Sequence, residues 1–227
     1  MELQIIYQDS ELIAINKPHG LLVHRSKYAD DGTVFAMQEL RNQIKQYVYP
    51  CHRIDRKTSG VLLFSLTESM NSILQQMFSN NEIKKTYKAI VRGYTPDEGI
   101  IDYALVNEKG KEQEAITGYK TLKRTELAVP FGAFKTSRYS LVEVYPQSGR
   151  MHQIRKHLAH IMHPIIGDRP HGCNKQNKLF KEKWNMTSMM LHAAQLEFLH
   201  PTTKSKVIIN ATVSNEFRRM EDLLGWS

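Results

Sequence analysis

The polar segment His52-Arg53-Ile54-Asp55-Arg56-Lys57-Thr58-Ser59-Gly60 runs without a break into Val61-Leu62-Leu63-Phe64. A short apolar run entered from a Ser-Gly turn signal reads as a buried strand, and the polar segment reads as a loop at its mouth. Within that loop Asp55 stands between Arg53 and Arg56. Two nearby cations hold a carboxylate ionised at neutral pH, as a nucleophile or general base requires. The same residues would also suit a surface loop with ordinary ion pairs, so the rest of the chain has to decide.

Gln4-Ile5-Ile6-Tyr7 and Leu12-Ile13-Ala14-Ile15, split by Asp9-Ser10, predict a hairpin. Thr33 can cap a helix carrying Val34, Met37, Leu40 and Ile44, and Met70, Ile73, Leu74, Met77 and Phe78 make a second helical face. Further strands are expected at Tyr87 to Val91, Thr117 to Leu122, Arg138 to Tyr145 and Lys206 to Ile209, with a closing helix using Phe217, Met220 and Leu224. Asn107 to Glu114 and the lysine-rich stretch Asp168 to Asn185 read as surface loops. With no internal repeat and no Pro/Gly/Ser-rich linker, residues 1–227 are expected to form a single domain without an accessory module.

Lys and Arg number 31 against 23 Asp and Glu, a formal charge of +8, which favours a polyanionic partner. No apolar run long enough to span a bilayer occurs, and the N-terminus lacks a basic-then-apolar signal, so a cytoplasmic protein with no membrane association is expected. Cys51 and Cys173 lack metal or redox spacing and read as free thiols.

Met151, Ile154, Leu158, Ile161 and Met162 define an apolar helix stripe, and Arg155 falls on it. A guanidinium turned inward must be paired. Asp55 is the candidate partner; a structural acid, or an outward path along the arginine stem, are the alternatives. Tyr87 shares a strand face with Ala89 and Val91, as a core tyrosine would. His152, His157, His160 and His163 crowd one helix, but no i, i+4 ligand pair like that of HExxH accompanies them, so no metal is expected; His152 and His160 are placed near phosphate or solvent. No serine-hydrolase elbow, P-loop or dinucleotide fingerprint occurs.

His52, Arg53, Ile54, Asp55, Thr58, Ser59 and Gly60 together resemble the signature of the RluA-type pseudouridine synthases. Asn16-Lys17-Pro18-His19-Gly20-Leu21, Lys85-Thr86-Tyr87-Lys88-Ala89, Gly149-Arg150-Met151-His152-Gln153-Ile154-Arg155, His163-Pro164-Ile165-Ile166-Gly167-Asp168 and Leu191-His192-Ala193 are similar to further elements of that family, in the same order. The resemblance implies an α+β fold, the pseudouridine-synthase core: a long, mostly antiparallel mixed sheet flanked by helices, with a central active cleft. It implies isomerisation of uridine in RNA without a cofactor, with Asp55 as catalytic carboxylate, Tyr87 stacked on the base and Arg155 paired with Asp55. Arg53, Arg56, Lys57, Lys84, Lys85, Lys88, Arg150 and His152 would then meet RNA phosphates.

The wording around His24-Arg25-Ser26 and Gly167 to Gly172 most resembles the branch that modifies uridine 65 of tRNA. Large-subunit rRNA and the tRNA anticodon stem-loop are the alternative substrates, and a non-catalytic RNA-binding or RNA-folding protein is the alternative class. A metal-dependent nuclease would need clustered acids. The expected partner is RNA, tRNA first, with no DNA, and the expected state is a monomer.

Overall fold

The computed structural model describes residues 1–24 and 34–226. Its elements begin with β1 (Ile5–Gln8), β2 (Leu12–Lys17), α1 (Ala36–Ile44), β3 (Tyr49–Pro50), β4 (Ser59–Ser65), α2 (Glu68–Ser79) and β5 (Lys84–Arg92). They continue with β6 (Glu98–Asp102), β7 (Leu105–Val106), β8 (Glu112–Gln113), β9 (Ile116–Leu127) and β10 (Ser137–Pro146). The last are α3 (Gln153–His160), α4 (Asn174–Trp184), β11 (Leu191–Leu199), β12 (Lys206–Asn210) and α5 (Asn215–Leu223). The chain divides into two compact units, Met1–Lys85 with Ala193–Val213 and Thr86–His192 with Ser214–Ser227.

In the first unit β2 runs antiparallel to both β1 and β4, β3 also pairs with β4, and β12 pairs antiparallel with β11. Strand alternation sorts their side chains. Leu12, Ala14, Val61 and Leu63 pack in one cluster with Met70 and Leu74 of α2, while Ile13, Ile15, Leu62 and Phe64 join Ala36 and Leu40 of α1 in another. A strand covered on both faces has no solvent side, which is why Val61 to Phe64 is apolar without interruption. Burying each of the Leu, Ile, Val, Phe and Met side chains among them stabilises the unit by about 1.5–3 kcal/mol.

The hairpin expected at the N-terminus forms, and α2 starts where Thr67 Oγ1 accepts from Met70 N at 3.3 Å. Thr33, expected to cap α1, lies outside the described residues, as do Arg25 and Ser26. Phe35 occupies the N-cap position of α1 without a side-chain bond, and Val34 is exposed instead of joining the stripe.

In the second unit β5, β10, β9 and β6 lie in that order, each antiparallel to the next. Ala89, Ile90 and Val91 on β5 are all buried, as are Leu141, Val142 and Val144 on β10, so both faces of this ladder are covered. Helices on antiparallel strands in each unit give the α+β class expected.

Three expectations change here. Asp168 to Asn185 is no loop: it contains α4, whose Gln176 and Phe180, four residues apart, are buried. Phe180 meets the Tyr139 ring edge-on at 5.2 Å. One strong hydrophobe among lysines is a weak sequence signal, and its packing partner comes from a distant strand. Asn107 to Glu114 holds the turn of the small β7–β8 pair, where Asn107 Oδ1 accepts from the amides of Lys109 and Lys111. The helix carrying Arg155 is shorter than its stripe suggested. Met151 precedes it, Met162 follows it at φ +64°, and both are exposed, leaving Ile154, Arg155 and Leu158 to face the interior.

Candidate active site

Asp55 lies in the first unit, in a loop held by backbone and side-chain bonds before β4. His52 Nε2 accepts from Leu63 N at 3.1 Å, and its ring stacks on Phe78 with centroids 4.5 Å apart. Ile54 is buried, and Thr58 N donates to Asp55 O at 3.0 Å, closing a turn around the carboxylate-bearing residue. Asp55 itself is half-buried. Gly60 at the loop's end has φ +110°, and a Cβ there would fall 2.1 Å from Ala193 O. Only glycine fits so close to another backbone.

A second motif is laced onto this loop. Gly20 N donates to Arg56 O at 2.8 Å, and Arg56 Nε donates back to Gly20 O at 2.9 Å. Lys17, fully buried, donates through Nζ to the carbonyls of Pro18 at 2.9 Å, Leu21 at 2.9 Å and Arg56 at 3.2 Å. Burial pushes its pKa down to about 7, opposed by the charge of Asp55. Arg53 and Arg56, read from the sequence as the cations flanking Asp55, are exposed, with Arg56 turned to Gly20. Lys17 falls within the Asn16 to Leu21 motif, where the sequence gives it no role. A lysine ending an apolar strand, Ile13-Ala14-Ile15-Asn16-Lys17, was the available signal.

Tyr87 and Arg155 lie in the second unit. Tyr87 is half-buried on β5 opposite Val144 of β10. Arg155 is turned inward on α3, as the stripe requires. Its Nε donates to Asp168 Oδ2 and its Nη2 to Asp168 Oδ1, each at 2.8 Å. Burial pulls the Asp168 carboxyl upward, but the hydrogen bonds and charge of Arg155 outweigh it and hold the group below its usual range. Asn177 Nδ2 donates to Asp168 O at 2.7 Å, and Gly167 N donates to Asn177 Oδ1 at 2.8 Å, so α4 braces the acid. Asp168 was among the motif residues in the sequence, but nothing local marked it as a partner of Arg155.

The expected phosphate contacts are distributed unevenly. Arg150 is exposed and donates through Nε to Glu114 O at 3.1 Å. Lys57, Lys85 and Lys88 are half-buried, with desolvation lowering the pKa of Lys85. His152, expected near phosphate or solvent, has Nδ1 2.9 Å from His171 Nε2, and His160, though exposed, stacks on Tyr103 at 3.8 Å. His157 donates to Tyr103 O and His163 to Arg92 O, both at 2.9 Å, so His157 and His160 share Tyr103 while His152 and His163 engage other partners. Among the described residues no group of three or more His, Cys, Asp or Glu is placed to hold a metal ion.

Residues 11–160 match the family model described as RNA pseudouridylate synthase. The chain belongs to that family, whose reaction converts uridine in RNA to pseudouridine. It is 43% identical over 237 residues to a protein of Vibrio parahaemolyticus named tRNA pseudouridine synthase C, covering 100% of this chain and 96% of that one. It is also 45% identical over 235 residues to the Salmonella typhi protein of the same name, covering 99% and 90% respectively. Among solved structures, Human RNA Pseudouridylate Synthase Domain Containing 4 superimposes with a TM-score of 0.77 at 25% identity, over 98% of this chain and 93% of that one.

Proposed function

We propose that the protein isomerises uridine 65 of tRNA to pseudouridine. The observation that carries the tRNA reading is the match, over nearly the full length of both chains, to relatives named for tRNA. The position rests on resemblance of the motifs around His24 and from Gly167 to Gly172 to one branch of the family. In the reaction the N1–C1′ bond breaks, the uracil turns and a C5–C1′ bond forms, while the proton on C5 is lost and N1 gains one. Atoms and electrons balance without a cofactor. Asp55 supplies the carboxylate that acts as nucleophile or base, Tyr87 the aromatic face that retains the loosened uracil, and Arg155 the cation that positions charge.

The reacting uridine must leave its stack, which takes a few kcal/mol, and phosphate contacts from Arg53, Arg56, Lys57, Lys85, Lys88, Arg150 and His152 offset this. The formal charge of +8 supports such contacts. Residues 1–227 serve as one catalytic domain, working as a cytoplasmic monomer on RNA and not DNA. No helix among the described residues is long and apolar enough to cross a membrane.

The test offers purified wild type and Asp55→Asn, separately, a total tRNA pool and unmodified large-subunit rRNA, then maps the product. Pseudouridine at tRNA position 65 with wild type alone is expected, with tRNA affinity and unfolding little changed in the variant. Product confined to rRNA, or to other tRNA sites such as the anticodon stem-loop, overturns the substrate assignment. Turnover by the Asp55 variant overturns the catalytic one.

A further inference from the structure

The second unit holds a pocket at the end of β5 remote from Tyr87, lined among others by Arg92, Tyr94, Phe131, Phe134, Arg138 and Gln176. Five residue steps along the extended strand separate Tyr87 from Arg92, about 16 Å at the usual strand rise. The pocket's volume is about 490 Å³, within the roughly 300–1,000 Å³ of small-ligand sites.

Its wall is an aromatic hairpin with a fixed backbone. Phe131 N donates to Phe134 O at 2.9 Å and Phe134 N donates to Phe131 O at 3.1 Å, around Gly132 at φ +61°. Phe134 is nevertheless 69% exposed. Two cations stand against rings: the guanidinium carbon of Arg92 is 5.3 Å from the Phe131 centroid, and that of Arg138 is 5.1 Å from the Tyr94 centroid. Arg138 Nε also donates to Glu126 Oε2 at 3.0 Å, which partly neutralises it and leaves Arg92 as the stronger attraction for an anion.

Gln176 supplies a separate indication of a ligand. It is only 2% exposed, and its Oε1 accepts from Tyr139 OH at 2.8 Å, which fixes the amide's orientation. Its Nε2 makes no hydrogen bond to a described residue, and Gln176 lines the pocket, so this donor is available to an acceptor that enters it. Aromatic rings, fixed cations and a neutral donor together match a nucleotide, whose base offers a π face and whose phosphate and carbonyl oxygens accept hydrogen bonds.

We propose that this pocket is a second nucleotide subsite, which holds an unpaired nucleotide of the same RNA whose uridine is isomerised. The base stacks on the Phe131–Phe134 hairpin, the phosphate lies at Arg92, and the Gln176 amide donates to an oxygen of the base. The inference rests on the RNA-substrate reading above and adds a contact remote from the reacting uridine. Such a contact helps select folded RNA in which an unpaired nucleotide lies at a fixed distance from the target.

The test measures equilibrium affinity for an unmodified tRNA transcript and the single-turnover rate at saturating protein, for wild type, Phe134→Ala and Gln176→Glu. Phe134→Ala removes an exposed ring outside the core. Gln176→Glu keeps an oxygen for Tyr139 and replaces the donor with negative charge. Affinity is expected to fall about tenfold in each, the range of one base–aromatic stack, while the rate of bound RNA stays within about twofold. Wild-type affinity in Phe134→Ala overturns the subsite, as does a slower bound-state rate at unchanged affinity.

Uridine monophosphate, titrated with the pocket resonances observed, separates the two sources of a nucleotide. Saturation of the pocket by the free nucleotide, with tRNA affinity unchanged in the variants, also overturns it. Absence of wild-type product on tRNA would remove the proposed substrate, a failure read on product and not on affinity.

Discussion

Arg155 and Asp168 meet fork to fork, two parallel N–H···O bonds of 2.8 Å, with side chains 5% and 1% exposed. Such bidentate pairs fix geometry as well as charge, since both nitrogens and both oxygens lie in one plane. Asp168 is in turn gripped by the amide of His171 at 3.3 Å and by Asn177. The arrangement makes Arg155 a rigid cation on a helix of only eight residues.

Removing one partner leaves the other charge buried. Asp168→Ala is expected to destabilise the protein by about 3–5 kcal/mol and to abolish turnover through misplacement of Arg155. Urea unfolding monitored by circular dichroism measures the first effect. A loss below about 1 kcal/mol would show that the pair does not hold the unit together.

Tyr87 can act by its ring, by its hydroxyl, or only by packing. Tyr87→Phe keeps the π face, whereas Tyr87→Leu removes it. If the ring is the platform, the Phe variant retains most of the bound-state rate and the Leu variant loses about 10²-fold or more, the scale of a misplaced reactant. Near-normal rates in both return Tyr87 to the core.

His52 makes the first unit sensitive to acid. Burial, with Lys85 nearby, holds its imidazole far below the usual range, and its Nε2 can accept from Leu63 N only while unprotonated. The unfolded chain therefore binds the extra proton below about pH 6.5, so this stability is complete above that value and is lost as pH falls. The decline is up to about 1.4 kcal/mol per pH unit. His52→Gln, whose side-chain oxygen can accept the same bond, should flatten the stability curve between about pH 6.5 and 4.5. Superimposable slopes for the two proteins would contradict this role.

Two glycines beside Asp55 should respond differently to alanine. At Gly60 the new Cβ would meet the Ala193 backbone at 2.1 Å, and Gly60→Ala is expected to cost more than about 4 kcal/mol or to prevent folding. Gly20 at φ +88° has nothing within 4 Å, so Gly20→Ala adds backbone strain alone, about 1–2 kcal/mol. Thermal melts of the two variants decide, and equal losses would place the Gly60 constraint in φ and not in contact.

Local periodicity is sufficient for much of this molecule. Short apolar runs placed β1, β2 and β5, three- and four-residue spacing placed α2 and α5, and Arg155 on an apolar stripe was bound to turn inward, because each pattern is set by neighbours within a turn or a pleat. Motif order is equally legible and points to the family by itself. What the amino-acid order could not specify were the partners.

Lys17 finds a carbonyl 39 residues away, Gln176 a hydroxyl 37 residues away, and α4 acquires its buried face only when Phe180 meets Tyr139. Asp168 is distinguished from other acids solely by where α3 and the segment before α4 place it. A buried charge or amide requires a partner, and that requirement can be read from a sequence. Which group meets it depends on segments brought together by the collapse of apolar surface, which favours burial but carries no direction of its own.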